Sequence, residues 1–186
     1  TDALAIPPLR LEVLAARPGE DAAVRPVIES HGAYVFGLFV AARPLPDENR
    51  LDYIEVGLVA TTSLVVSVRK SPAGGGDPFD LSGLGPASAE GAPAGILVHR
   101  LLDDVSDSYV SSLDAVYGEI EELEDGIDDW PSSEVRQRIS ALRHELLHSR
   151  KMVSATRAAV RRIVDGRVEV GDHALFPTDV ELLFMD

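Results

Sequence analysis

Between Leu102 and Trp130 the apolar residues return every three or four positions: Leu102, Val105, Tyr109, Leu113, Val116, Ile120, Leu123, Ile127 and Trp130. On a helix this spacing places all nine on one stripe. Pro131 halts that helix, and Ser132 and Ser133 offer hydroxyls to cap another. The second stripe runs Val135, Ile139, Leu142, Leu146, Val153, Val160 and Ile163, with Ser149 and Thr156 also at seam positions. A connection this short turns the two helices back on each other, so the sequence predicts a long antiparallel helical hairpin with the stripes buried face to face.

Charge selects the same pairing. From Leu101 to Trp130 there is no Lys or Arg, while Asp103, Asp104, Asp107, Asp114, Glu119, Glu121, Glu122, Glu124, Asp125, Asp128 and Asp129 are all acidic. The second helix answers with Arg136, Arg138, Arg143, Arg150, Lys151, Arg157, Arg161 and Arg162. Ion pairs along the flanks fix register and partner more than they add stability, since an exposed pair contributes under about 1 kcal/mol.

Ahead of the hairpin the period is two. Leu9 to Leu14 alternates, Ala33 to Ala41 is apolar and aromatic, and Tyr53 to Ala60 and Leu64 to Arg69 are rich in Val and Ile. These read as strands, with a tight hairpin at Thr61-Thr62-Ser63 and a polar connection from Arg43 to Arg50, hence largely antiparallel neighbours. Residues 71–95 are dominated by Gly, Pro, Ala and Ser and read as a loop, interrupted by a turn at Pro78-Phe79-Asp80-Leu81. The fold class is therefore α+β: a mixed, largely antiparallel sheet domain with flanking helices, then a helical hairpin. Residues 1–98 form the first part, 99–170 the hairpin, and 171–186 the start of a further helix, because Val180 to Phe184 is apolar.

Composition narrows the partners. A formal net charge of -14 opposes nucleic acid and anionic membrane, which are themselves negative, and makes cations the natural small partners. With no cysteine, only oxygen and imidazole remain as metal ligands, a set that suits magnesium better than structural zinc. The longest apolar run, Tyr34 to Ala42, is strand-length, short of the roughly 18 residues a spanning helix needs. The first residue, Thr1, and the apolar stretch before Asp186 give the expectation of a fragment of a longer protein.

Several of these segments together resemble the CorA family of magnesium and cobalt channels. Arg25-Pro26, Tyr34-Val35-Phe36, a polar loop and strands ending in Val66-Ser67-Val68 look like the family's amino-terminal sheet, and Asp77-Pro78-Phe79 follows in order. Leu101-Leu102-Asp103 with Tyr109, Leu113, Ile120 and Leu123-Glu124 looks like its acidic first hairpin helix, and Leu142-Arg143 to Arg157 like the return helix. Phe184-Met185-Asp186 resembles the beginning of the stalk helix. The resemblance implies the cytosolic part of a pentameric, membrane-bound divalent-cation channel, joined to the bilayer only through carboxy-terminal helices outside this sequence. Magnesium is then both transported and regulatory, and no cofactor is required for folding. An acid matching Asp186 takes part in a regulatory magnesium site, with Glu20 and Asp21 as candidates for its second half on a neighbouring subunit.

Two other readings use different residues. His144-Glu145-Leu146-Leu147-His148 matches the zinc-peptidase pattern in which two imidazoles one turn apart bind zinc and the glutamate activates water. With Leu146 on the seam, however, both histidines point about 160° away from it, towards solvent or a neighbour and not into a closed cleft. The expectation is accordingly no enzyme. A hairpin on an α+β body also suits a non-catalytic dimerisation or adaptor module. The acidic run Glu119 to Asp129 reads as a solvated helix face, Trp130 as a packing cap, and His31, His99 and His173 as ordinary isolated histidines.

Overall fold

A computed structural model describes residues 12, 14–15, 25–45, 50–72, 75–171 and 173–176. Four strands, β1 (Val27–Ser30), β2 (Val35–Leu45), β3 (Arg50–Ala60) and β4 (Val65–Arg69), form one antiparallel sheet in sequence order. A meander of this kind needs only local turns. The Thr61 hydroxyl holds the last one by accepting the backbone N–H groups of Ser63 and Leu64. The central pair β2 and β3 is in register from Val35 opposite Ala60 to Leu45 opposite Arg50.

The helical hairpin is present. After the short α1 (Leu84–Ala89), α2 (Ala94–Gly126) and α3 (Ser132–Val164) run 33 residues each and pack on one face of the sheet. Val35, Phe39, Val56 and Leu58 from the sheet share a core with Val98, Leu101, Leu102, Val105, Met152, Ala159 and Ile163 from the helices. The opposite face, through Tyr34, Phe36, Leu38 and Val59, packs against Leu14. At Gly57 a Cβ would strike Leu14, so this strand glycine is there for a close approach. A two-stranded ribbon of β5 (Glu169–Val170) and β6 (His173–Ala174) follows α3. Beyond it Phe176 lies buried against Gly95, where a Cβ would come within 2.8 Å of the Leu175 carbonyl oxygen.

Five local expectations are corrected. Glu12, Leu14 and Ala15 are helical where a strand was expected, the rest of the Leu9 to Leu14 stretch lying outside the described residues. The short β1 lies in a stretch that pattern did not single out. The supposed loop 71–95 contains α1 and the first residues of α2, because Leu81, Ala87 and Ala94 find burial in the core despite the Gly and Pro around them. The turn before α1 is real: Asp80 accepts the backbone N–H and the hydroxyl of Ser82. No side-chain cap bond starts α3, whose N-cap is Pro131.

The fifth correction concerns phase. The buried line on α2 runs Val98, Leu102, Val105, Tyr109, Ser112, Val116, Glu119, Leu123 and Gly126. Leu113 and Ile127 stand 43% and 55% exposed, outside the seam they were expected to fill. On α3 the buried residues are Val135, Glu145, Met152, Ala155, Thr156, Ala159 and Ile163, while Ile139, Leu146 and Val153 are exposed. Each helix carries two adjacent apolar lines, and the fold buries the one that adjoins the sheet.

Candidate functional site

The displaced seam brings polar side chains into the hairpin. Glu119 is 7% exposed and accepts two bonds from Arg138, from Nε and Nη2, each 2.7 Å long. The same guanidinium reaches Glu122 at 2.5 Å and lies 4.3 Å above the centroid of the Trp130 ring. Two carboxylates and an aromatic face thus surround one cation, and the bonds to Glu119 and then Glu122 raise the Arg138 pKa further above its already high ordinary value. Trp130 reaches this position because Gly126 leaves room for it: a Cβ there would overlap the indole. Among the described residues, the ion pairs that join the two helices all belong to Arg138.

Farther down the hairpin, α3 meets β3 through Tyr53. Its hydroxyl lies 2.8 Å from the Ser149 hydroxyl and 3.5 Å from the Glu145 carboxylate. The His148 ring packs on the Tyr53 ring with centroids 4.3 Å apart. Burial and the Glu145 charge push the Tyr53 pKa up to about 12, partly opposed by the Ser149 bond. Burial also lowers the His148 pKa, with the nearby Lys151 and His144 acting the same way and Glu145 opposing. A parallel link ties α2 to β2: Tyr109 donates to the Val40 carbonyl and Ser108 accepts from the Ala42 N–H.

A cleft of about 230 Å³ opens between the sheet and the hairpin, lined by Pro44, Leu45, Arg50 and Leu51 of the sheet and by Val116, Glu119, Glu122, Leu142 and Glu145 of the hairpin. Its carboxylates are already committed to Arg138 and Tyr53. Among the described residues no three His, Asp or Glu side chains converge as a metal-ligating group. The acidic residues Glu121, Glu124, Asp125, Asp128 and Asp129 project from the distal end as an exposed surface.

The expected sites fare differently. Asp186, Glu20 and Asp21 lie outside the described residues. In the zinc-peptidase pattern, Leu146 is exposed and Glu145 is the buried member, so the expected place of Leu146 on the seam is corrected; His144 is exposed as expected, and His148 rests on Tyr53. Glu145 faces a tyrosine hydroxyl, which does not suit a general base waiting for metal-bound water. The sequence reading missed the Glu119–Arg138–Trp130 group and the Tyr53–Glu145–Ser149 group. The one available signal was the general match of an acidic first helix to a basic second one.

A sequence model described as CorA-like Mg2+ transporter protein matches residues 3–179. Among solved structures, the CorA magnesium transporter of Methanocaldococcus jannaschii superposes with a TM-score of 0.66 at 18% identity, covering 88% of this chain and 50% of that one. The ZntB cytoplasmic domain of Vibrio parahaemolyticus gives 0.60 at 14% identity, over 89% of this chain and 63% of that one. The full-length CmaX protein gives 0.55 at 15% identity, over 97% and 58% respectively. The chain thus spans between half and about two-thirds of the length of these structures. Among curated proteins no sequence match is found.

Proposed function

Because the chain belongs to the CorA-like Mg2+ transporter family, we propose that it is the cytosolic, cation-sensing body of a membrane channel for divalent cations, with magnesium as cargo and regulator. The observation that carries this reading is the family match over residues 3–179, with a fold to suit it: an antiparallel sheet bearing a hairpin whose first helix is acidic. The chain is not an enzyme: its family is one of Mg2+ transporters, and in the peptidase pattern Glu145 is turned to the Tyr53 hydroxyl.

The physical basis of sensing is charge. Magnesium keeps most of its water and needs one or two direct carboxylates, so it bridges facing acidic surfaces without a protein cage. In a homo-oligomer, a pentamer by family resemblance, protomers of net charge -14 repel one another when the cation leaves. Bound magnesium then favours the tight, closed arrangement, and its loss shifts the population towards the open one. The proposed ligands are Asp186 of one subunit and Glu20 or Asp21 of the next. In the same reading, residues 1–98, 99–170 and 171–186 are body, hairpin and the lead into the membrane helices.

The test is transport by the whole protein that carries this chain, with magnesium on the sensing side varied. Asp186→Ala is expected to need several-fold more magnesium for the same inhibition, and Glu20→Ala with Asp21→Ala to act in the same direction. Unchanged inhibition in all three variants removes the regulatory site from the account while leaving the transporter reading standing.

A further inference from the structure

His144 and His148 sit one helical turn apart on α3, where neighbouring Cβ atoms are about 5–6 Å apart. Two imidazoles at this spacing can take one metal ion between them. His144 is exposed. His148 is half-buried, and its contact with Tyr53 restricts the ring, so less freedom is lost when a metal binds. Neither imidazole has a hydrogen-bond partner among the described residues that a metal would have to displace. From these observations we propose that His144 and His148 form a two-imidazole site on the flank of the hairpin for a borderline transition-metal dication, Zn2+ or Ni2+, with water completing the coordination.

Ligand chemistry sets the selectivity. Imidazole nitrogen suits Zn2+, Ni2+ and Cu2+, whereas Mg2+ demands oxygen and surrenders its water reluctantly. The site is therefore chemically separate from any carboxylate site for magnesium and does not depend on which cation the transporter carries. Lys151 opposes a second cation, but it is exposed, so its charge is screened and its stem can swing away. Since His148 rests on Tyr53, an ion held there also fixes the contact between α3 and β3.

Isothermal titration of the chain itself with ZnCl2 and NiCl2, with and without excess MgCl2, tests this. One ion per chain is expected, undiminished by magnesium, and the Tyr53 ring resonances are expected to shift on binding. His144→Ala alters only an exposed side chain and is expected to weaken binding about tenfold or more. Lys151→Ala is expected to leave binding intact or tighten it. Binding that survives His144→Ala unchanged, or that magnesium displaces, overturns the proposal, because the ion would then lie on other histidines or on carboxylates.

Discussion

Gly126 carries no side chain because the Trp130 indole occupies the space a Cβ would need. Gly126→Ala should therefore lose roughly 1–3 kcal/mol through overpacking and drive the indole outward. Thermal denaturation and the emission of the only tryptophan report both effects, and a red-shifted spectrum is expected. Asp104 shows a second residue-scale cost. Burial first, then the negative charges of Asp103, Asp107 and Asp80, raise its pKa. The folded chain thus holds this proton to higher pH than the unfolded one, so stability falls as pH rises through that window and the penalty is complete at neutral pH. Asp104→Asn should stabilise the chain at pH 7, by less than about 1 kcal/mol after screening, and make no difference once pH is below the ordinary carboxyl range. Denaturant titrations at the two pH values check the sign. These residue-level details were only partly legible in the sequence. The apolar spacing finds Tyr109, Val116 and Leu123 on the buried line, but it also points to Leu113 and Ile127, where the structure buries Ser112 and Gly126. Counting apolar residues cannot find a seam position filled by a glycine whose space a tryptophan takes.

The hairpin as an element is held by an unequal pair. Glu119 is buried and Arg138 largely so, while the remaining arginines of α3 face solvent or lie outside interhelical pairs among the described residues. Arg138→Ala leaves a buried carboxylate uncompensated and should cost about 2–4 kcal/mol. Glu119→Leu combined with Arg138→Met removes both charges and should recover most of that loss, because an apolar pair of similar volume fills the same seam. A double-mutant cycle by urea denaturation measures the coupling; additive losses would contradict it. Charge complementarity between the helices was readable from composition, and it correctly joined an acidic rod to a basic one. Which arginine carries the pairing was not readable, since Arg136, Arg138 and Arg143 are equivalent until the phase of the helix is known. The same shift of phase exposes Leu146 and brings His148 onto Tyr53.

For the whole molecule, the order of parts was the most legible property. The change of period from two to seven, with a turn at Pro131, gave the sheet and the hairpin in sequence and the resemblance to CorA-like channels, which the match over residues 3–179 supports. The amino-terminal segment was misread because alternation over a few residues suits a strand and an amphipathic helix equally, as Leu14 shows by burying itself as part of a helix. The packing against the second sheet face that distinguishes the two is long-range and leaves no local trace. Candidate magnesium ligands came from resemblance alone, because one or two carboxylates among 31 acidic residues carry no spacing signature. The hydroxyls of Tyr53 and Tyr109 tie the hairpin to the sheet through both of its helices. The central claim is that this body serves a divalent-cation channel. Its most direct test is magnesium entry into liposomes holding the whole protein that carries this chain, followed with a trapped magnesium-sensitive dye. The account predicts entry that slows as magnesium rises on the side facing this body; vesicles no more permeable to divalent cations than protein-free ones would contradict it.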